Sequence, residues 1–512
     1  MKNKNGRNWR IKQAREKAVK AAAPDRLSEL PNDLLLNILE RVDTIDAVKT
    51  CILSKKMLKL PDMLSQMLIS IDSFSTFSTG SVLRANCAVA HVTDAILSTR
   101  NPEVTIRRLK IRFILKLHDA RSIAESFARA MATHKVESAE FEIITDQTFK
   151  NSSPDDLVHS GRKFNTFLGA CPDAFAGLTR LWLRNMRFGE LDIANILSAC
   201  KCLEALRLSN CDSGVNSVLQ LEHAQLVELH IDYGDFERVE LVCLPKLQCV
   251  CFVFNNWACS SYKDPMHFGF VPQLSKLSLI RTGIYSDKPL ELSQLLANVP
   301  SIDDLHLDFR SEKIWVQLEC RELLMPVLSK LQYVSLDNLP EGCDIAWTMF
   351  ILEGAPSLKE LCITVQDHLC MMVTDKEYRR ANGYCEKEDV KWNSLIPGFR
   401  HNNLVKLTIY GFQPDEKFVR YIRRVAEVAA NLAEISLHDR KVCGVDCGDL
   451  DPEIKVCPSR YPRTAEERQQ TSEDFFACYG LASLSDISLK SKVTEEDLWS
   501  HPPPLIPILI LP

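Results

Sequence analysis

Residues 178–208 read LTRLWLRNMRFGELDIANILSACKCLEALRL. The stretch opens and closes on one pattern, Leu178-x-x-Leu181-x-Leu183 and Leu203-x-x-Leu206-x-Leu208. Each Leu-x-Leu ending alternates with period two, as a strand with one buried face does. Between them, Leu191 to Cys202 carries apolar residues at helical spacing. The unit is strand, helical return, strand.

Outward from this stretch the pattern recurs. Its first positions are Ile106, Val136, Leu178, Leu203, Leu226, Leu247, Leu274, Ile302, Leu331, Leu358, Leu404 and Leu432, with a weaker window at Leu484, and most steps run from 21 to 30 residues. That is the period of leucine-rich repeats, in which each unit adds a short strand to a curved parallel sheet and returns through a helix or irregular segment. Leu292 to Val299 reads as another helical return. The longer steps, Val136 to Leu178 and Leu358 to Leu404, imply inserted loops, the second being the charged segment Asp375 to Lys391.

Alternation turns the leucines into the core and leaves the intervening side chains on the concave face. These include Arg108, Lys110 and Arg112, then Arg180, Trp182 and Arg184, and later Glu228, His230 and Asp232 with Asp304, His306 and Asp308. Basic early and acidic later repeats suggest a polarised surface for a protein substrate, although Glu140 and Glu142 interrupt the basic end. The candidate substrate-binding residues are therefore Arg180, Trp182, Arg184, Glu228, His230, Asp232, Asp304, His306 and Asp308.

Ahead of the repeats, Leu34, Leu35, Ile38, Leu39 and Val42 form a helical apolar stripe behind Pro31, Asn32 and Asp33. A second helix is expected from Asp46 as N-cap, with Val48, Cys51, Ile52 and Lys55 along one side. Two such helices expose more apolar surface than they can bury against each other. Asp25-Arg26-Leu27-Ser28, Leu30-Pro31, Leu34-Leu35, Ile38-Leu39, Asp46-Ala47-Val48, Thr50-Cys51 and Leu53-Ser54-Lys55 together resemble the plant F-box in order and spacing. The resemblance implies docking on a Skp-type adaptor, and through it a cullin, by Leu30, Pro31, Leu34, Leu35, Ile38, Leu39, Val48, Cys51 and Leu53. Met57 and Pro61 stand where plant F-boxes usually carry tryptophan.

Near the other end, Asp415 is placed to cap a helix with the stripe Phe418, Ile422, Val425, Ala426 and Ala429, leading into Leu432-x-x-Ile435-x-Leu437. Phe418-Val419-Arg420 through Leu437-His438, followed by Tyr461-Pro462-Arg463-Thr464, is similar to the FBD-type ending of plant F-box/leucine-rich-repeat proteins. Pro502-Pro503-Pro504 and the apolar run Leu505 to Leu511 depart from that family's closing strand. The expected organisation is an α/β chain: a basic tail (1–23), a short helical F-box module (24–65), a curved leucine-rich-repeat solenoid with parallel strands (100–400), an FBD-like region (401–465), and a final weak repeat with a Pro-rich tail (466–512).

Composition narrows the function classes. The 46% hydrophobic content provides a large core, and a net charge of -5 over 512 residues gives no global signal for nucleic acid. Eight basic side chains among residues 1–23, against Glu16 alone, read as a nuclear-localisation patch or a solvated extension. Neither a secretory h-region nor a membrane-length apolar run occurs, so the expected location is nucleus and/or cytoplasm. The 19 cysteines are scattered and odd in number, as in a reducing compartment; His438, Cys443, Cys447 and Cys457 lack paired zinc spacing and read as a Cys-rich loop. Phosphate loops and nucleophile elbows are missing from the sequence, and no cofactor is expected.

The expectation is a non-catalytic substrate-recognition subunit of an SCF-type ubiquitin ligase, with an unknown protein substrate. The alternative is a leucine-rich-repeat interaction scaffold whose F-box does not function.

Overall fold

A computed structural model describes residues 30–471, interrupted at 53, 55–56, 75–78, 148–151, 215, 255–261, 283–287, 312–313, 342, 368–376, 378–397 and 442–458, together with strand 486–490. Two compact units divide it, residues 1–146 with 166–181, and residues 147–165 with 182–512. The basic tail, the Pro-rich end, Cys443, Cys447 and Cys457 lie outside the described residues, as does the 375–391 insertion apart from Glu377.

The first unit begins with α1 (Asn32–Leu39) and α2 (Thr44–Ile52), followed by two 3-10 turns, Met57–Lys59 and Pro61–Met63. Helix α2 starts two residues before the expected cap. Asp43 Oδ1 accepts the Ile45 amide at 2.8 Å, while Asp46 pairs with Lys49 at 3.0 Å on the exposed side. Leu35, Leu39, Ala47, Cys51, Met57, Leu60 and Leu64 form one buried cluster, with Leu30 and Leu36 packed against it. Met57 fills part of this core, so the tryptophan expected by resemblance is replaced by a side chain that adapts to irregular gaps.

Strand β1 (Gln66–Ser70) follows directly and pairs in parallel with β2 (Arg108–Ile114), which pairs with β3 (Ala139–Ile144). Leu64-x-x-Met67-x-Ile69 thus supplies an earlier strand than the windows above. Return helices α3 (Thr79–Thr99) and α4 (Leu117–Thr133) lie between the strands in sequence. Phe113, Phe127, Phe141, Phe167 and Phe175 meet edge-on or tilted at 4.4–6.1 Å, filling the core of this unit with rings.

From Trp182 on, within β4 (Arg180–Arg187), the second unit's strands run in the order β4, β5 (Ala205–Asp212), β7 (Glu228–Asp232), β9 (Cys249–Phe254), β11 (Lys276–Arg281), β12 (Asp304–Asp308), β13 (Tyr333–Leu339), β14 (Glu360–Val365), β15 (Lys406–Tyr410), β16 (Glu434–His438) and β17 (Asp486–Lys490). All thirteen sequence windows, including the weak one at Leu484, end in a strand. The register stacks apolar rows, Leu206 on Leu229 on Val250, then Leu277 on Leu305 on Val334 on Leu361 on Leu407 on Ile435. Asn185, Asn210 and Asn338 sit two residues after the buried Leu183, Leu208 and Leu336 with φ between 49° and 58°, a left-handed conformation that asparagine tolerates. Asn210 Nδ2 donates to Asn185 Oδ1 at 3.0 Å.

A second parallel sheet, β6 (Ser217–Glu222), β8 (Phe236–Cys243) and β10 (Met266–Phe270), is formed by return segments, where a helix or irregular segment was expected. The return at 191–202 does contain a helix, Asp192–Ala199, and that at 292–299 a single turn, Leu292–Leu295. Asp415 caps Glu416–Val428 through the Phe418 amide at 3.2 Å, and Phe418, Tyr421, Ile422 and Val425 are its buried face. Among the described residues, no helix is long and apolar enough to cross a membrane.

Candidate functional site

Helix α1 has two apolar faces. Leu35 and Leu39 point into the module's core, whereas Leu34 and Ile38, at i and i+4, are 53% and 44% exposed, and Val42, three residues past the helix, is 46% exposed. Ile52 and Leu58 add exposed apolar surface at 67% and 55%. Of the residues assigned to adaptor contact, Pro31, Leu34 and Ile38 are exposed, Leu30 and Val48 are half-buried, and Leu35, Leu39 and Cys51 are core. Leu53 lies outside the described residues. Val42 and Ile52, read in the sequence as parts of apolar stripes, and Leu58 were not among the residues assigned to adaptor contact. The i+4 spacing of Leu34, Ile38 and Val42 was the available signal.

The basic end of the early repeats is internally neutralised. Glu140 meets Arg108 at 2.7 Å and Lys110 at 2.9 Å; Glu142 meets Lys110 at 2.8 Å and Arg112 at 3.2 Å; Arg112 also meets Asp72 at 2.7 Å. Burial would raise the Glu140 carboxyl, but Lys110 and Arg108 hold it below its usual range. The adjacent strand supplies each cation's counter-charge, so this is a paired lattice instead of a positive patch.

Along the second unit the concave-facing residues divide into two groups. In the first, Trp182 is flanked by the guanidinium groups of Arg207, 4.3 Å from the ring centroid, and Arg184, 5.0 Å, and its Nε1–H donates to Ser209 Oγ at 2.9 Å. Arg207 continues to Asp232 at 2.8 Å. His230 is pushed down to about 3 by burial and by the Arg207 charge, and stays neutral. Trp182, Arg184 and His230 are half-buried, Asp232 is buried and Glu228 is exposed. Arg180 is half-buried.

The second group is a hydrogen-bonded row. Ser278 Oγ lies 2.6 Å from His306 Nδ1, His306 Nε2 lies 2.9 Å from Asp337 Oδ2, and Asp337 Oδ1 accepts from Thr364 Oγ1 at 2.6 Å and Lys441 Nζ at 3.2 Å. Burial alone would lower His306, but its bond to Asp337 and that carboxylate's charge outweigh burial and raise it. Burial likewise opposes ionisation of Asp337, yet Lys441 and His306 hold its carboxyl far below the usual range. Ser, His and Asp are the residue types of acyl transfer. Here the ring is bonded to Ser through Nδ1 and to Asp through Nε2, and Asp337 is shared with two further donors. The row works as a ladder joining β11 to β14.

Asp304 pairs with Lys276 at 3.5 Å, and Asp308 Oδ1 accepts the Arg310 amide and Asn338 Nδ2 at 2.8 and 2.9 Å. Asp308 thus holds a turn together. Between the groups, Cys251, Val253 and Ile280 form a small buried apolar cluster at concave-facing positions, a feature hidden in the continuous apolar run of β9. Among the described residues no three metal-binding side chains converge. His438, from the Cys-rich segment, instead stacks on Tyr410 at 4.5 Å.

The described geometry agrees with known proteins. The F-box domain family matches residues 27–66, and the family described as At1g61320/AtMIF1, LRR domain, matches residues 168–471. The chain is similar to the F-box/FBD/LRR-repeat protein At1g51370 of Arabidopsis thaliana, at 23% identity over 408 residues covering 78% of this chain and 86% of that protein. It is also similar to the F-box protein At1g80960 of the same plant, at 25% identity over 239 residues, 44% of this chain and 48% of that protein. With over half its length matched by the repeat family and its amino-terminal helices by the F-box, the chain belongs to the plant F-box/leucine-rich-repeat proteins.

Proposed function

We propose that the chain is the substrate-recognition subunit of an SCF-type ubiquitin ligase. The observation that carries this reading is the exposed apolar stripe Leu34, Ile38 and Val42, with Ile52 and Leu58, on a module whose own core is already closed. Five exposed apolar side chains on one short module are costly in water and mark it for docking. Its partner is a Skp-type adaptor, and through it a cullin. The repeats hold a protein substrate by their concave side chains, chiefly Arg180, Trp182 and Arg184, where an aromatic ring and guanidinium groups offer the chemistry of interface anchors.

The mechanism is positional: holding a substrate near a ubiquitin-charged conjugating enzyme raises its effective concentration, without a catalytic group or cofactor in this chain. The work is done in the nucleus or cytoplasm.

The alternative, a scaffold with an F-box that does not dock, is favoured by Met57 and Pro61, which stand in two short 3-10 turns where plant F-boxes usually carry tryptophan. Pull-down of a Skp-type adaptor by the intact chain, beside the Leu34→Asp/Ile38→Asp variant, decides between them. Capture by the intact chain alone supports the ligase reading; no capture by the folded intact chain sinks it and leaves the scaffold.

A further inference from the structure

After β16 the backbone turns back over its neighbours. The Asp439 carbonyl accepts the Gly411 amide at 3.3 Å beyond β15, the Lys441 carbonyl accepts Gln366 Nε2 at 3.2 Å beyond β14, and the two cationic side chains reach β13 and the turn after it. Lys441 Nζ lies 3.2 Å from Asp337 Oδ1 and 4.7 Å from the centroid of the Tyr410 ring. Arg440 grips Glu341 by two contacts, Nε to Oε1 and Nη2 to Oε2, each 2.7 Å. Residues 439–441 thus strap three repeats.

The receiving carboxylates are set from behind. His306 and Thr364 fix Asp337, and Asp367 Oδ1 accepts the Glu341 amide at 2.9 Å, placing a third carboxylate beside the pair. The contacts that hold the strap are polar, and the Arg440 and Lys441 side chains keep 18% and 32% of their exposure. An incoming Arg-Lys pair would offer the same guanidinium and ammonium groups to Glu341 and Asp337, while the bonds of Asp439 to Gly411 and Ser459 belong to the strap itself. A guanidinium hydrogen-bonded through Nη2 and charge-paired through Nε to one carboxylate, followed by an ammonium lying on an aromatic ring, is a specific demand.

We infer that Asp337 and Glu341 form a receptor site for two consecutive basic residues, Arg-Lys, in an extended segment of a protein partner, and that Arg440-Lys441 is the site's internal occupant. A partner carrying such a pair displaces the strap, and the closed strap lowers its apparent affinity by the fraction of molecules that are open. This concerns capture at the repeats and holds whether or not the amino-terminal helices bind an adaptor.

Fluorescence polarisation with a labelled peptide copying residues 436–442 (Ser-Leu-His-Asp-Arg-Lys-Val), titrated with the full chain, tests it. The Arg440→Ala/Lys441→Ala variant should bind the peptide at least about tenfold more tightly than wild type. Adding Asp337→Asn and Glu341→Gln should abolish that gain, and a peptide with both basic residues changed to alanine should not bind. Hydrogen exchange over β13–β15 checks that the variants are folded, and the milder Arg440→Gln should give an intermediate gain if the double variant is not. Equal binding by wild type and the folded variants, or equal binding of the alanine peptide, overturns the inference.

Discussion

Thr44 and Leu68 join the helical module to the first strand of the repeats: the Leu68 amide donates to Thr44 Oγ1 at 2.8 Å. A strand edge presents unpaired amides that invite other chains, and here the first turn of α2 covers one of them. Glu40 reinforces the junction by accepting from the Ser65 amide and hydroxyl at 2.7 and 2.6 Å and from Arg107 at 3.0 Å. The module is therefore fixed to β1 by side chains as well as by the chain itself.

Changing Thr44 to alanine should open β1 locally. Loss of one partly buried hydrogen bond is worth about 1 kcal/mol, which corresponds to roughly fivefold faster amide exchange. Hydrogen–deuterium exchange of Gln66–Ser70 reads it, and unchanged protection would show that Thr44 adds nothing at this edge.

The two faces of α1 should separate in mutagenesis. Leu39→Ala empties the buried cluster and should cost about 2–5 kcal/mol. Ile38→Asp sits on the exposed face and should leave stability within about 0.5 kcal/mol while abolishing adaptor capture. Denaturant titration beside pull-down separates them, and comparable destabilisation by both would refute the assignment of faces.

His230 and His306 should give pH effects of opposite sign. His230 is depressed to about 3, so the folded state holds it neutral while the unfolded chain takes up a proton below about 6.5; its contribution falls as the pH drops through that window. His306 is raised, so its contribution is complete below about 6.5 and is lost as the pH climbs through the raised folded value. Thermal melts across about pH 4–9 should show His230→Gln less acid-sensitive than wild type and His306→Gln less sensitive on the alkaline side. The same sign for both would contradict the contrast in their surroundings.

Gly411 and Gly398 both have positive φ, 73° and 74°, and should respond differently to alanine. A Cβ at 411 would lie 1.9 Å from the Val365 carbonyl oxygen, whereas one at 398 meets nothing within 4 Å. Gly398→Ala should cost only the left-handed strain, about 1–2 kcal/mol. Gly411→Ala should cost more, by forcing β14 and β15 apart, and equal melting temperatures for the two would discount the clash.

What the sequence determined by itself was the one-dimensional part of this protein. A strand or helix with one buried face writes a period of two or of 3.6 into neighbouring residues, so thirteen Leu-type windows and the Leu34–Val42 stripe were legible without neighbours in space. The tertiary structure decided what depends on residues far apart in sequence. It showed that Leu35 faces inward and Leu34 outward, although both fit the same helix. It recruited Met67 into a strand masked by the preceding module, and made a second sheet from the short alternations at Leu219, Val239 and Met266. It also cancelled the positive charge of Arg108, Lys110 and Arg112 against Glu140 and Glu142, because parallel register brings side chains about one repeat apart within salt-bridge distance. Lys441 and Asp337, 104 residues apart, meet only because the backbone reverses over three repeats. A periodic pattern fixes which face of an element is buried; register and chain reversal fix which charged groups end up together, and neither has a local signature.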